Sequence, residues 1–139
     1  MKPFSSVEDY ELLFYQIKIV IKPYKTDEFV KSMRSFSREI RKEKGCLGHS
    51  VYRDSEKENI YSVVGEWKTR PAMEKHFKTQ NFELVIGAAR VLGETFEMNI
   101  AEVLKTGGFK LAKHFRHQDT NSGWAVQACP GATALNMLG

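Results

Sequence analysis

Apolar and polar side chains alternate with period two through residues 14–22, where Tyr15, Ile17, Ile19 and Ile21 interleave with Gln16, Lys18, Val20 and Lys22. That alternation predicts a strand, and Pro23 closes it. The period then changes. Phe29, Met33, Phe36 and Ile40 recur at i, i+4, i+7 and i+11, and Val30 widens the stripe, so a helix follows. Thr26 is placed to cap it, Asp27 and Glu28 fall in its first turn, and Gly45 stops it after a basic last turn. Residues 48–53 and 60–68 read as two strands joined by the polar turn DSEKEN, a hairpin. Thr69 and Pro71 start a short helix. Thr79 caps another, whose stripe is Phe82, Val85, Ile86 and Ala89 and which Gly93 ends; residues 96–104 form a fourth strand. Ahead of all this, Ser5 and Ser6 followed by Glu8 and Asp9 predict a short helix ending near Leu13.

The order is β-α-β-β-α-β, an α+β ferredoxin-like arrangement with two helices on one face of a four-stranded antiparallel sheet. The third strand is apolar on both sides, with Ile60 and Val64 opposite Tyr61, Val63 and Trp67; the fourth sets Phe96, Met98 and Ile100 against Ala101 and Val103. A sheet apolar on both faces needs both covered. Two helices cover one, so a homodimer with the sheets packed face to face is expected. The rival arrangement folds the segment after Lys105 over the open face. Residues 14–104 thus form the domain, 1–13 an N-terminal extension and 105–139 a C-terminal extension, in which 110–117 are suited to a short helix and no periodicity follows Thr120.

Composition narrows the function classes. The chain has 139 residues, 42% hydrophobic and 27% charged, ordinary for one folded domain that needs no disulfide. No apolar run reaches the ~20 residues of a membrane span. The N-terminal MKPFSSVEDYELL lacks the apolar core of a secretory signal. Cys46 and Cys129 are too sparse for a disulfide framework and suit a reducing cytoplasm. The net charge is +4, yet the basic residues are spread along the chain, and the densest group (Arg38, Arg41, Lys42, Lys44) complements a helix end; no nucleic-acid partner is expected.

Little in the chain carries chemistry. On the short helix, Met73, His76, Phe77 and Gln80 share a face, so His76 turns toward the sheet with Met73 and Phe77. An inward histidine is either a hydrogen-bonded core residue or a base, since its reference pKa of ~6.5 suits proton removal near neutral pH. Trp67 shares strand parity with Tyr61 and Val63; it is either core or a flat wall for an aromatic ligand. His49 and Tyr52 point to opposite faces of their strand, so only one of them can share a cavity with His76. Gln16 and Lys18 lie on the polar side of the first strand. His114 and His117, even with Cys129, fall short of a structural zinc set, and no metal is expected. Cys46 beside Lys42 and Lys44 has no histidine placed in sequence to activate it. A phosphate loop, a G-x-S-x-G elbow and a dinucleotide fingerprint are all missing.

The runs EKGCLGHSVYRD, YSVVGEWKTRPAMEKHFKTQNF and GETFEMNIAEVL together resemble the antibiotic biosynthesis monooxygenase (ABM) domain family, nearest its quinol monooxygenase branch. The shared pieces are Gly45-Cys46-x-Gly48, Glu66-Trp67, His76, Thr79, Phe82 and Glu97-Met98-Asn99-Ile100, and the resemblance covers residues 15–104. It implies a ferredoxin-like fold paired into a dimeric α/β barrel. It also implies oxidation of a quinol or polyphenol-like aromatic by molecular oxygen without flavin, metal or other cofactor. By resemblance His76 is the base or hydrogen-bond donor, Trp67 the stacking wall, and Tyr61, Tyr52 and Gln16 further substrate contacts. A haem-degrading branch carries an Asn, a Trp and a haem-ligating His where this chain has Gln16, His76 and Ile86, so haem degradation is not expected. The alternatives to a monooxygenase are a non-catalytic dimeric binding or stress-response module and a small-molecule isomerase.

Overall fold

The computed structural model describes residues 11–117. The chain divides into two units after Val103, each described by itself. The first is a four-stranded antiparallel sheet with helices on one face. Its elements are β1 (Leu13–Ile21), α1 (Thr26–Ile40), β2 (Cys46–Arg53), β3 (Ile60–Trp67), α2 (Arg70–His76), α3 (Gln80–Leu92) and β4 (Gly93–Glu102). The strand order is β2-β3-β1-β4. In the second unit α4 (Phe109–Arg116) has a basic last turn of Lys113, His114 and Arg116. Apart from its last residues, the expected N-terminal helix lies outside the described residues, as do Cys129 and the segment after Thr120; Leu13 already belongs to β1.

Register assigns the faces. Tyr15 pairs with Gly65, Ile17 with Val63 and Ile19 with Tyr61 across β1–β3, and His49 pairs with Gly65 across β2–β3. Directly opposed residues share a face. Tyr15, Ile17, Ile19, Ile21, His49, Tyr61, Val63 and Trp67 therefore all look toward the helices, and all are buried. Complete burial of each isoleucine contributes roughly 1.5–3 kcal/mol. From α1, Phe29, Met33 and Ile40 close on this face, and from α3, Val85, Ala89 and Leu92 do so. The opposite face mixes half-buried Phe14, Val20, Ile60 and Val64 with exposed Gln16, Lys18 and Tyr52.

Three local details differ from the sequence reading. Thr26 is the first residue of α1, and the cap position is Lys25, whose side chain makes no capping bond. The helix ends at Ile40, ahead of Gly45, and turns fill the interval. Gly45 has φ +86°, and a Cβ there would lie 2.5 Å from the Ala72 side chain, so its role is a left-handed turn pressed against α2. Ser37, not Phe36, completes the buried stripe of α1. In β4 the apolar residues Phe96, Met98 and Ile100 pair with Ile19, Ile17 and Tyr15, which puts them on the helix side. β4 is an edge strand, and Phe96 and Ile100 remain about half exposed there.

Candidate functional site

The Thr69 hydroxyl caps α2 by accepting the Ala72 amide at 3.2 Å, and Pro71 occupies the first turn. This fixes the helix phase, so that Met73 and His76 face the sheet. The His76 ring sits 4.6 Å from the Trp67 ring and 5.6 Å from Tyr15, nearly parallel to the phenol, with Phe77 and Phe82 beyond. His76 is 1% exposed and Trp67 fully buried. The indole face offered to a ligand by the sequence reading is covered by the imidazole itself.

A continuous hydrogen-bonded chain runs through this aromatic box. His76 Nδ1 is 2.8 Å from Glu43 Oε1, and His76 Nε2 is 2.8 Å from the Tyr15 hydroxyl. That hydroxyl is also 3.0 Å from His49 Nε2, and His49 Nδ1 is 2.7 Å from the Ser37 hydroxyl. The second Glu43 oxygen accepts from Asn81 at 2.8 Å. A carboxylate acceptor at one end, with both imidazoles neutral, orients every proton in the chain. His76 must donate from Nδ1 to Glu43, leaving Nε2 to accept from the Tyr15 O–H. The Tyr15 oxygen then accepts from His49 Nε2–H, and His49 Nδ1 accepts from the Ser37 O–H. All donations run one way, from Ser37 toward Glu43.

The electrostatics agree with two neutral imidazoles. Burial pulls His49 down to about 4, helped by the neighbouring His76 and Arg41. Burial also lowers His76, against the hydrogen bond and charge of Glu43, which favour its protonated form. Tyr15 is pushed well above the phenol range by burial and then by the charges at Cys46 and Glu43, so it stays a neutral donor. The Cys46 thiol is raised, chiefly by burial, which argues against a ready thiolate.

Gly65 makes room for the chain. A Cβ there would stand 2.6 Å from Tyr15 Cε2 and 2.8 Å from Cζ, so the phenol crosses β3 only because Gly65 has no side chain. The Arg41 guanidinium donates to the His49 carbonyl at 2.8 Å and ties α1's end to β2. Trp67 Nε1 is a buried donor without an acceptor among the described residues.

A sequence profile of the antibiotic biosynthesis monooxygenase family matches residues 13–86, more than half of the chain. The chain belongs to that family. An uncharacterized protein of Synechocystis sp. is 32% identical over 89 residues, which span 63% of this chain and 60% of that relative's length. A conserved protein of Methanosarcina mazei Go1 superposes with TM-score 0.63 at 26% identity, covering 71% of this chain and 96% of its own. A variant of SnoaB, a cofactor-independent oxygenase from Streptomyces nogalater, has TM-score 0.62 at 18% identity, covers 69% of this chain and 96% of its own, and is a likeness of fold.

Within this ABM domain the residues singled out from the sequence fall on two faces of the sheet. His76, Trp67 and Tyr61 are on the helix side, where Tyr61 is 4% exposed with its ring against Phe29. Gln16 and Tyr52 are on the other, in an open cleft of about 420 Å³ with Lys18, Asp54, Ser62 and Glu97. Gln16 Nε2 donates to the Ser62 hydroxyl at 3.3 Å. His49 is the β2 residue that joins His76, and Tyr52 is 58% exposed on the far side. Sequence reasoning missed Ser37, Glu43 and the role of Tyr15. A serine on an apolar helical stripe and a tyrosine at an inward strand position are the signals that point to two of them. Glu43 follows the end of α1 and carries no such signal.

Proposed function

We propose that this ABM-family chain is a cofactor-independent monooxygenase acting on an electron-rich aromatic alcohol of the quinol class, with His76 as the base. The observation that carries this reading is the one-way chain ending on Glu43. A neutral imidazole whose far nitrogen donates to a half-buried carboxylate gains a proton at Nε2 and becomes an imidazolium paired with that carboxylate. Deprotonation turns a quinol into an anion that passes one electron to oxygen, giving a semiquinone and superoxide. Their recombination forms a carbon–oxygen bond, and the hydroperoxide loses water to leave a carbonyl. One oxygen atom stays in the product and one leaves as water. All four electrons come from the aromatic, so no external reductant is required. What the protein supplies is a base, orientation and exclusion of water.

The test is oxygen uptake with a panel of reduced quinones, wild type against His76→Ala, without added flavin or metal. Uptake above autoxidation that falls at least about a hundredfold in the variant, the usual span for losing a general base, supports the reading. Uptake no faster than autoxidation overturns it, and ligand-induced thermal stabilisation in that case identifies a binding module instead.

The proposal includes a homodimer through the open face, where half-buried Phe14, Val20, Ile60 and Val64 lie among polar residues. Sedimentation at micromolar concentration should give twice the chain mass, and a monomer would remove this part.

A further inference from the structure

We infer that the cleft between α1 and the edge strand β2 is the ligand site of this domain, and that it takes an aromatic alcohol carrying an anionic group. This rests on the oxygenase reading for what happens next, though not for binding. The cleft has a volume of about 700 Å³, within the ~300–1,000 Å³ of ordinary small-molecule sites. Lys31, Arg34, Arg41 and Arg53 line it, with Asp27 as the one acid among the lining residues. Arg41 is engaged with the His49 carbonyl. Lys31, Arg34 and Arg53 form no ion pair among the described residues. Three unneutralised cations around one concavity favour a carboxylate or phosphate, and arginine pairs with either through two parallel bonds.

The rest of the cleft suits the body of such a ligand. Val30, Val51 and Tyr61 supply an apolar wall beneath the cations. Ser37 also lines it, although only 2% exposed, and Ser37 is where the buried hydrogen-bonded chain begins. Its hydroxyl donates inward to His49, which leaves its oxygen lone pairs to accept from a ligand hydroxyl. The His76 box, by contrast, is filled by its own rings. A base sealed in the core thus has a polar thread to a cleft that combines cations with an apolar wall.

The proton step balances along that thread. The ligand hydroxyl gives its proton to the Ser37 oxygen, and Ser37 gives its own to His49 Nδ1. His49 passes its Nε2 proton to Tyr15, and Tyr15 passes its proton to His76 Nε2. The ligand is left as an oxyanion beside the arginines, His49 as the other neutral tautomer and His76 as an imidazolium against Glu43. No electrons move in this step.

The experiment compares gentisate, a hydroquinone bearing a carboxylate, with hydroquinone itself. Binding is measured by calorimetry under argon, where no oxidation follows. Gentisate should bind at least about tenfold more tightly than hydroquinone. The preference should shrink with added salt and vanish in Arg34→Ala/Arg53→Ala, whose replaced side chains are exposed and leave the core untouched. Arg34→Glu should weaken gentisate further. Equal affinity for the two ligands, no detectable gentisate binding, or an unchanged preference in the double variant overturns the inference. Oxygen uptake is read separately in air. Charge-selective binding without uptake removes the oxygenase reading and keeps the cleft. Uptake indifferent to the arginine substitutions does the reverse.

Discussion

The Tyr15 hydroxyl stands 2.8 Å from His76 Nε2, and the two rings lie within 14° of parallel. It is also 3.0 Å from His49 Nε2, so a single oxygen joins two buried imidazoles. Tyr15→Phe would keep the packing and remove that oxygen. Each orphaned ring nitrogen should cost about 1–3 kcal/mol in denaturant-unfolding stability. Oxygen uptake should fall at least about tenfold in protein still folded by circular dichroism. Stability lost with uptake intact would mean the chain is structural only.

Glu43→Gln tests the anchor. The amide can still accept from His76 Nδ1–H, but its NH2 would then confront Asn81 Nδ2, donor against donor. Loss of the carboxylate charge, which raises the His76 pKa, makes the imidazole a weaker base. Uptake at neutral pH should drop, and the acid limb of the pH–rate profile should move to lower pH. A fallen rate with an unmoved limb would separate Glu43 from the basicity of His76.

Stability should fall on the acid side of neutrality. His49 has an ordinary value of 6.5 unfolded and about 4 folded, and His76 is lowered in the same direction. Between those values the unfolded chain binds more protons, so the stabilisation is complete above the unfolded pKa and drains away as pH falls toward the folded one. For His49 the loss is on the order of 3 kcal/mol across that window. Urea denaturation at several pH values from about 7 down to 4 checks it. His49→Gln should flatten the slope, whatever it does to stability at neutral pH; an equally steep slope would assign the loss to other groups.

Gly65→Ala probes the crossing of Tyr15 over β3. The added methyl would lie 2.6 Å from Tyr15 Cε2 and 3.1 Å from Trp67 Nε1, and both rings are fully buried. Overpacking of this kind costs about 1–3 kcal/mol, and the displaced phenol should also cost uptake. Unchanged stability with unchanged uptake would show that the sheet gives way without moving Tyr15.

Much of this was legible locally. Period-two alternation in β1 and the stripe of α1 placed those elements within a residue or so, except at the end of α1, where the Gly45 stop signal acts after a stretch of turns. Thr69 and Thr79 both cap as their positions suggest, accepting from Ala72 and Phe82. Helix periodicity alone turned His76 inward. Strand parity alone separated His49 from Tyr52, yet could not say which of them meets His76.

Repeat period and capping act over a few residues, so they fix which elements form and which residues of one element share a face. Tertiary structure decided their company. Glu43, Tyr15 and His49 reach His76 from α1's end, β1 and β2, across sequence separations of up to 61 residues, and only the β1–β3–β2 register at Gly65 brings the rings together. A one-residue slip would send Tyr15 to the other face, so the hydrogen-bonded chain belongs to the assembled sheet rather than to any segment of it.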